Sequence, residues 1–332
     1  MIQTILLKNR PKGNPKSSDF EFVKDDKTPT VNEGELLLET IYVSVDPYLR
    51  GRMSDAKSYM PPFELNKPMK SGIIAKVKSS KNDNFKEGDY VMGMLDWKTL
   101  QISSGKELMK VDAEKAPLSA YLGILGMTGL TAYLGLTQIG KPQKGETLIV
   151  SGAAGAVGSV VGQIAKNLGL RVIGVAGTDE KVELLKSKFG FDEGINYNTT
   201  TDMKAAIAKA APNGIDIYFD NVGGPISDAV LFNINKFSRT INCGAISVYN
   251  ETELPKSISV QPFLVKNSAL MQGFIVSNYS EKFPEAMKQL GEWLAAEKLT
   301  YTETVVEGFE NIPQAFMDLF EGKNTGKMVV KI

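Results

Sequence analysis

Three glycines stand between a short apolar segment and a helical pattern in the middle of the chain. Segment 147–151 has the composition of a buried strand, and Gly152, Gly155 and Gly158 follow it at three-residue spacing. A helical pattern comes next, and a second β-branched run occupies 171–176. A strand, a glycine turn, a helix and a strand together bind a pyrophosphate at the helix N-terminus, where free N–H groups and the helix dipole stabilise its charge. The pattern therefore predicts a dinucleotide site and redox chemistry.

The glycine spacing departs from the common dinucleotide-binding pattern. A G-x-G-x-x-G motif would need glycine at 153, where this chain has Ala153. The glycines alone are also compatible with a turn that binds nothing. The strands and the helix around them favour nucleotide binding.

The residues after the second strand bear on which dinucleotide is bound. NAD sites place an acid about 20 residues beyond the turn, on the ribose 2′-hydroxyl, but this strand ends at Ala176 and Gly177. Thr178 suits a helix N-cap, whereas Lys181 is disfavoured by the dipole in a first turn. A 2′-phosphate beside Lys181 would explain it. The alternatives are a solvated surface lysine and an NAD site in which Asp179 binds the ribose.

Composition limits the class of protein. The 332 residues suggest two domains, and Lys+Arg and Asp+Glu are equal at 38 each, which gives no indication of nucleic acid or an anionic membrane as a partner. No apolar run reaches about 18 residues, so we expect no membrane-spanning helix. The first residues lack a basic region before an apolar core, so we expect no signal peptide. A single cysteine rules out a disulfide within the chain, and we expect a cytoplasmic protein.

The absence of histidine restricts the chemistry. With no His and one Cys, the chain has no Ser-His-Asp triad, no Cys-His pair and no zinc site built on histidine or thiolates. We therefore expect no metal. Proton transfer falls to Tyr, Lys, Asp, Glu, a hydroxyl of the cofactor, or water.

The predicted elements change character along the chain. Residues 1 to about 120 are β-rich, with strands at 36–43 and 72–78. From 147 onward, strands alternate with helices, which predicts a parallel sheet covered on both faces. The predicted strands are 147–151, 171–176, 216–220, 239–244 and 269–276, and the predicted helices lie near 157–168, 179–188, 201–210, 225–235 and 281–297. The closing strands, at 302–306 and 327–332, are expected to rejoin the first domain.

Six segments resemble one family of enzymes. They are Asp46-Pro-Tyr-Leu-Arg50, Gly126-Met-Thr-Gly-Leu-Thr-Ala-Tyr133, Ala153-Ala-Gly-Ala-Val-Gly-Ser159, Phe219-Asp-Asn-Val-Gly-Gly224, Cys243-Gly-Ala-Ile-Ser247 with Tyr249-Asn250, and Asn324-Thr-Gly-Lys327. Together they resemble the zinc-independent, medium-chain NADPH-dependent alkenal and enone reductases, which include leukotriene B4 12-hydroxydehydrogenase (prostaglandin reductase), alkenal double-bond reductases and curcumin reductase. Zinc-bearing relatives have a Cys ligand near 44–47 and a Gly-His-Glu near 69–72, and neither is present here.

The resemblance implies a fold and a cofactor site. The fold is α/β, with a doubly wound Rossmann-type parallel sheet inserted into a β-rich GroES-like catalytic domain. Residues 1–124 and 300–332 would form the catalytic domain, and 125–299 the NADPH-binding domain. By family matches, the pyrophosphate lies at Gly155, Ala156, Val157 and Gly158, and the 2′-phosphate at Lys181 and Tyr197. The nicotinamide side lies near Asn221, and Cys243, Gly244, Ala245, Ile246, Ser247, Tyr249, Phe274, Ile275, Val276 and Asn324 also line the cofactor.

The resemblance also implies a reaction. We expect NADPH-dependent reduction of the C=C bond of an α,β-unsaturated aldehyde or ketone, with hydride delivered to the β-carbon. Charge then develops on the carbonyl oxygen, which needs a hydrogen-bond donor. Tyr249 is the first candidate and Tyr48 the second, although either could be an ordinary surface or core-covering tyrosine. A quinone reductase, an enoyl-thioester reductase and a non-catalytic NADPH-binding protein remain open. Because relatives pair two sheets near 269–276, we expect a homodimer.

Overall fold

The computed structural model describes residues 1–253 and 255–332. They form two compact units. The first comprises Met1–Leu122, Thr304–Asn324 and Met328–Ile332, and the second comprises Gly123–Glu303 and Thr325–Lys327.

Strands dominate the first third of the chain, and strands and helices alternate after it. The strands are β1 Ile2–Leu7, β2 Phe20–Asp25, β3 Leu36–Ser44, β4 Lys70–Ser80, β5 Tyr90–Asp96, β6 Leu100–Ser103, β7 Met109–Val111, β8 Thr147–Ser151, β9 Arg171–Ala176, β10 Glu193–Asn196, β11 Ile215–Asp220, β12 Ile234–Asn242, β13 Leu270–Gly273, β14 Glu303–Glu307 and β15 Lys327–Lys331. The helices are α1 Leu49–Arg52, α2 Met127–Leu134, α3 Gly158–Asn167, α4 Asp179–Ser187, α5 Met203–Ala210, α6 Gly224–Leu231, α7 Gln261–Asn267, α8 Phe283–Ala295 and α9 Ile312–Asp318.

The first unit is built on an antiparallel sheet. Its strand order is β14-β15-β3-β4-β5-β7, with β6 paired to β3, and β1 and β2 form a separate antiparallel pair. Along β3, buried residues alternate with partly exposed ones as far as Thr40, as expected for a strand with one face against a core. That core includes Leu36, Leu38, Val43, Trp97 and Phe316.

The second unit is a six-stranded parallel sheet in the order β10-β9-β8-β11-β12-β13. All five residues of β8 are buried, as expected for a central strand covered on both faces. Successive strands are added outward from β8 to β10 on one side of the sheet, and then from β11 to β13 on the other side. The order in which strands are added therefore reverses between β8 and β11. In such sheets, ligands bind at the carboxyl ends of the strands beside this reversal. The predicted α/β class with a Rossmann-type sheet and a separate β-rich domain is confirmed.

Several elements differ from the sequence prediction. β10 was not predicted, because only Ile195 of its four residues is buried and the segment has no apolar run. The predicted helix 225–235 ends at Leu231, and β12 begins at Ile234, earlier than the predicted strand 239–244. The reason is an irregular strand start: Phe237 has a left-handed backbone (φ 62°), which breaks the alternation that marks a strand.

The edge strand of the parallel sheet is shorter than predicted. β13 ends at Gly273, so the predicted strand 269–276 loses its last three residues, and Val276 begins a 3₁₀ turn that runs to Lys282. None of the helices in the described part of the chain combines the length and the apolar character that a membrane span requires.

Candidate functional site

The turn between β8 and α3 depends on two glycines for two different reasons. Gly152 has a positive φ of 59°, which a residue with a side chain rarely adopts. Gly158 packs so closely on the start of the turn that a Cβ would lie 2.8 Å from the Cα of Ala153 and would also clash with the Gly152 carbonyl oxygen. No side chain caps α3, whose N-cap residue is Val157. The Ser159 and Val160 amides donate to the Gly155 and Val157 carbonyls, each over 3.1 Å, so an anion here would be held by the positive end of the helix dipole and by amides earlier in the turn.

A segment from the end of the chain borders this turn. The Gly326 amide donates to the Ala154 carbonyl over 2.7 Å, and Gly155 and Gly326 form an isolated parallel bridge. Gly326 has φ 67°, and a Cβ there would overlap the Thr302 carbonyl group. Sequence reasoning did not place this glycine at the turn. The only signal was its inclusion in the Asn324–Lys327 motif.

The carboxyl ends of β9 and β10 gather the residues predicted to select the dinucleotide. The Tyr197 amide donates to the Ala176 carbonyl over 3.1 Å, and its hydroxyl lies over Gly177, where a Cβ would stand 2.8 Å away. Thr178 caps α4 as predicted, because its hydroxyl accepts the Lys181 amide over 3.2 Å. The cap places Lys181 in the first helical turn, at the same sheet edge as Tyr197.

The acid that could bind an NAD ribose is already engaged. The Asp179 Oδ1 accepts a hydrogen bond from the Asn196 side chain over 2.7 Å. Lys181 is half-buried, and this burial lowers the pKa of its ammonium group. Burial disfavours the charged form, and a phosphate beside it would favour that form again. The balance of these contacts favours the 2′-phosphate interpretation over the NAD one.

A hydrogen-bonded group of side chains joins the ends of β8 and β11, where the strand order reverses. The Asn221 side-chain amide donates to the Ser151 carbonyl over 2.8 Å, and the Asn221 backbone amide donates to the Ser151 hydroxyl over 3.0 Å. That hydroxyl donates in turn to Asp220 over 2.9 Å. Asn221, predicted near the nicotinamide, is therefore fixed through both of its amide groups at the position where this fold binds its ligand.

The loop after β12 holds the first candidate donor. The Cys243 and Gly244 amides donate to the Asp220 carbonyl over 2.8 Å and 3.1 Å. The loop then makes one 3₁₀ turn, Ile246–Val248, and Tyr249 follows it. The Ala245 amide donates to the Tyr249 hydroxyl oxygen over 3.1 Å. Because the oxygen accepts this bond, the hydroxyl proton is left to donate.

The loop carries two ionisable side chains, Tyr249 and Cys243, and the pKa of each determines its protonation state at neutral pH. Burial raises the pKa of Tyr249, the Ala245 hydrogen bond lowers it, and the charge of Asp220 raises it further. The phenol therefore stays protonated at neutral pH and can donate. Burial and Asp220 raise the pKa of Cys243 to about 12, so its thiol stays neutral. A neutral thiol of this kind behaves as a small packing residue.

Three further predicted site residues lie in different units: Phe274 belongs to the second unit, and Tyr48 and Asn324 belong to the first. The Phe274 ring packs edge-on against Phe219 and Tyr279, with centroid distances of 6.5 Å and 6.3 Å, so this side chain serves the core of the second unit. Tyr48 belongs to the first unit, where it precedes α1 and packs on the core, and burial followed by the charge of Asp46 raises its pKa. Asn324 is also in the first unit.

No candidate metal centre is found in the described part of the chain, where no three Cys, Asp or Glu side chains cluster in a way that could hold an ion. Sequence reasoning missed Asp220 and Ser151 as members of the site. Both stand at the last position of a predicted strand, where the carboxyl ends of parallel strands meet, and that placement was the available signal.

Comparisons with known proteins agree with this geometry. Residues 3–111 match a family described as the N-terminal domain of oxidoreductases, and residues 156–292 match one described as zinc-binding dehydrogenase. The chain is 55% identical to the putative NADP-dependent oxidoreductase YfmJ of Bacillus subtilis (strain 168), with 99% of this chain and 97% of that protein covered.

Two further relatives and one solved structure are also similar over nearly full length. The NADPH-dependent curcumin reductase of Escherichia coli (strain K12) is 42% identical, with 98% of this chain and 96% of that protein covered. The NADP⁺-dependent 2-alkenal reductase of Nicotiana tabacum is 42% identical, with 99% and 96% covered. The crystal structure of CurA from Vibrio vulnificus in complex with NADPH aligns with a TM-score of 0.94 at 43% identity, over 99% of this chain and 98% of that one.

The fold and the glycine turn define a nucleotide-dependent oxidoreductase. More specifically, the chain belongs to the zinc-independent medium-chain dehydrogenase/reductase family. The family description that mentions zinc does not fit the residues present, because the chain has no histidine and one cysteine.

Proposed function

We propose that this protein reduces the C=C bond of α,β-unsaturated aldehydes or ketones at the expense of NADPH, without a metal. The broader part of this assignment, an NADP-dependent oxidoreductase, follows from family membership and from relatives with that activity in their names. The observation that carries the finer part is the half-buried Tyr249 hydroxyl. Its oxygen is occupied by the Ala245 amide, and its proton is available to a substrate oxygen.

The residues of the second unit fit NADPH. Glycines at 155 and 158 let the turn pack on the Gly152–Ala153 backbone, which sets the α3 N-terminus at the carboxyl end of β8, and Lys181 and Tyr197 suit a 2′-phosphate. We assign the remaining cofactor contacts to Ala156, Val157, Asn221, the loop 243–249, residues 274–276 and Asn324. When bound, NADPH supplies the hydride that enters the substrate.

The role proposed for Tyr249 follows from where charge develops. Addition of hydride at the β-carbon transfers an electron pair to the carbonyl oxygen, so a donor at that oxygen stabilises the transition state more than the ground state. The raised pKa of Tyr249 keeps the donor protonated. Tyr48 is the second candidate for this role, and solvent delivers the proton to the α-carbon.

The test is a substrate panel. NADPH consumption is followed with a trans-2-alkenal, the saturated aldehyde of equal length, a quinone and an enoyl thioester. We expect turnover of the alkenal but not of the saturated aldehyde, and NADPH carrying deuterium at both C4 positions should place one deuterium on the β-carbon of the product. Turnover of the quinone or the thioester alone would replace the proposal with that activity. NADPH binding without any turnover would make the protein a non-catalytic relative.

We also propose that the enzyme works in the cytoplasm as a homodimer joined at the edge of the parallel sheet. β13 is the last strand of that sheet, Leu270 on it is 48% exposed, and Val265 on α7 is 81% exposed. A second copy would cover these apolar side chains and pair the strand edge. Light scattering should give twice the mass of one chain, and a monomer at micromolar concentration would contradict the proposal.

A further inference from the structure

Asp220 is the most heavily hydrogen-bonded side chain near the proposed site. It is 5% exposed, and its Oδ1 accepts hydrogen bonds from the Ser151 hydroxyl, the Tyr218 hydroxyl and the Val222 and Gly223 amides, at 2.8–2.9 Å. Its Oδ2 accepts the Ser227 hydroxyl over 2.5 Å. A carboxylate that collects this many donors fixes the segments that carry them.

The most specific of these bonds hold a turn. The Val222 and Gly223 amides point back at the carboxylate two and three residues earlier, and Gly223 and Gly224 have positive φ of 74° and 62°. This backbone is accessible to glycine, but the glycines alone do not enforce it. The Asp220 side chain selects this one conformation of the turn 221–224.

Hydrogen bonds also connect the turn 221–224 to the loop that carries Tyr249. The Val222 carbonyl accepts both the Ser247 amide, at 3.1 Å, and the Ser247 hydroxyl, at 2.6 Å. The Asn221 carbonyl accepts the Ile246 amide over 3.3 Å, and Tyr249 closes the same 3₁₀ turn by donating its amide to the Ile246 carbonyl over 3.4 Å. Continuous hydrogen bonds therefore lead from the Asp220 carboxylate to the backbone of Tyr249.

We propose that Asp220 is a positioning residue for the reaction. Its carboxylate fixes the turn 221–224, the turn fixes residues 246–247, and these set the Tyr249 hydroxyl against the Ala245 amide with its proton free for the substrate oxygen. The proposal rests on the function proposed above. It assigns Asp220 no contact with the substrate.

The acceptor oxygen, and not the negative charge, is what this role requires. Asp220→Asn keeps an oxygen for the Val222 and Gly223 amides and turns its NH₂ toward Ser227, whose hydroxyl can accept instead of donate. Asp220→Ala removes the acceptor altogether. We expect the Asn variant to stay within about 10-fold of wild-type turnover, whereas the Ala variant should lose as much turnover as Tyr249→Phe does, up to about 100-fold.

A double-mutant cycle tests whether Asp220 acts through Tyr249. In the Asp220→Ala background, Tyr249→Phe should have almost no further effect on turnover, because the hydroxyl is already misplaced. Ser227→Ala is the matched control, since it removes a bond to the same carboxylate on the side of α6 and leaves the turn intact. It should lower stability and leave turnover near wild type. Additive effects in the cycle, an Asn variant as impaired as the Ala variant, or a Ser227→Ala variant as impaired as Asp220→Ala would overturn the proposal.

A spectroscopic measurement separates this inference from the function it rests on. In protein labelled with ¹³Cζ-tyrosine, the signal of Tyr249 is the one missing from Tyr249→Phe, and it reports the hydrogen bond to its hydroxyl without any substrate. The signal should keep its position in Asp220→Asn and move toward that of solvent-exposed tyrosine in Asp220→Ala. If Asp220→Ala does not fold, Asp220→Leu replaces it, since leucine fills the same space and likewise offers the Val222 and Gly223 amides no acceptor. An unmoved signal in the variant used would overturn the positioning role even if the enzyme reduces alkenals, and a moved signal would support it even if it does not.

Discussion

Lys181 illustrates how a single side chain can decide between two cofactors. It lies in the first turn of α4, where the dipole disfavours a cation, and its burial lowers its pKa. Both effects disfavour a charged amine in the absence of a ligand, and a dianionic phosphate would reverse both. Preference for NADPH is therefore the property most directly dependent on this residue.

Lys181→Ala should weaken NADPH binding and leave NADH binding almost unchanged. A charge-assisted hydrogen bond contributes roughly 1.5–3 kcal/mol, which corresponds to about 10- to 150-fold in the dissociation constant. Fluorescence titration with both cofactors measures this, and Lys181→Arg is the control that keeps the charge. Equal losses for both cofactors would indicate a folding defect or a wrong assignment.

The same residue gives NADPH binding a pH dependence with a definite sign. Binding to phosphate favours the protonated amine, so affinity is highest below the lowered pKa that Lys181 has in the protein without cofactor, and it falls as the pH rises through that pKa. NADPH affinity should decline over the alkaline range, and NADH affinity should not. In Lys181→Arg the decline should disappear, because arginine stays charged. A parallel decline for both cofactors would contradict this explanation.

The hydroxyl groups of Tyr249 and Tyr48 are the two side-chain candidates for the hydrogen-bond donor to the substrate oxygen, and removing each hydroxyl tests this role. Tyr249→Phe keeps the ring and removes only the donor, so NADPH affinity should hold while turnover of an alkenal falls by about 100-fold or less. Tyr48→Phe should have a smaller effect. If the double variant retains near wild-type turnover, neither hydroxyl is the donor, and a hydroxyl of the cofactor or a water takes the role.

At the scale of elements, the glycine turn makes a prediction about packing. A Cβ at Gly158 would clash with the Gly152–Ala153 backbone, so Gly158→Ala should lower the free energy of unfolding by about 1–3 kcal/mol and weaken NADPH binding by displacing the α3 N-terminus. Gly291→Ala is the control, because a Cβ there meets nothing within 4 Å, and it should stabilise α8 by about 1 kcal/mol. Urea unfolding and cofactor titration measure both effects. A Gly158→Ala variant with unchanged stability would contradict the packing argument.

Elements with strong local patterns could be predicted from the sequence, and elements defined by tertiary packing could not. β8, β9 and the N-cap Thr178 follow from continuous apolar runs and capping chemistry. β10 and the start of β12 depend on neighbouring strands and on the left-handed Phe237, neither of which leaves a periodic signal. Lys181 was indicated by its unfavourable position in a first helical turn and Tyr249 by the family resemblance, whereas the role proposed for Asp220 depends on a turn that forms only after folding.

At the scale of the whole molecule, composition predicts that no metal takes part. The chain has no histidine and a single cysteine, and among the residues that the structure describes no three Cys, Asp or Glu side chains cluster in a way that could hold an ion. Elemental analysis of active protein should find no stoichiometric zinc, and a chelator should leave turnover unchanged. Stoichiometric zinc together with chelator-sensitive turnover would refute this.

The two tryptophans of the chain allow cofactor binding to be assigned to one unit. Trp97 is buried in the core of the first unit, and Trp293 lies on α8 of the second, 6.0 Å from the Tyr133 ring centroid. Trp293→Phe and Trp97→Phe therefore each leave one fluorescent reporter.

A ligand at 100 times its dissociation constant stabilises the unit that binds it by about 2.7 kcal/mol. We expect NADP⁺ to shift the unfolding transition reported by Trp293. NADP⁺ is used because the reduced cofactor absorbs where tryptophan emits. If the units unfold separately, the Trp97 transition should stay in place, and if they unfold together both should shift equally. A shift confined to the transition that Trp97 reports would place the cofactor in the first unit and contradict the site built on β8, β9 and β11.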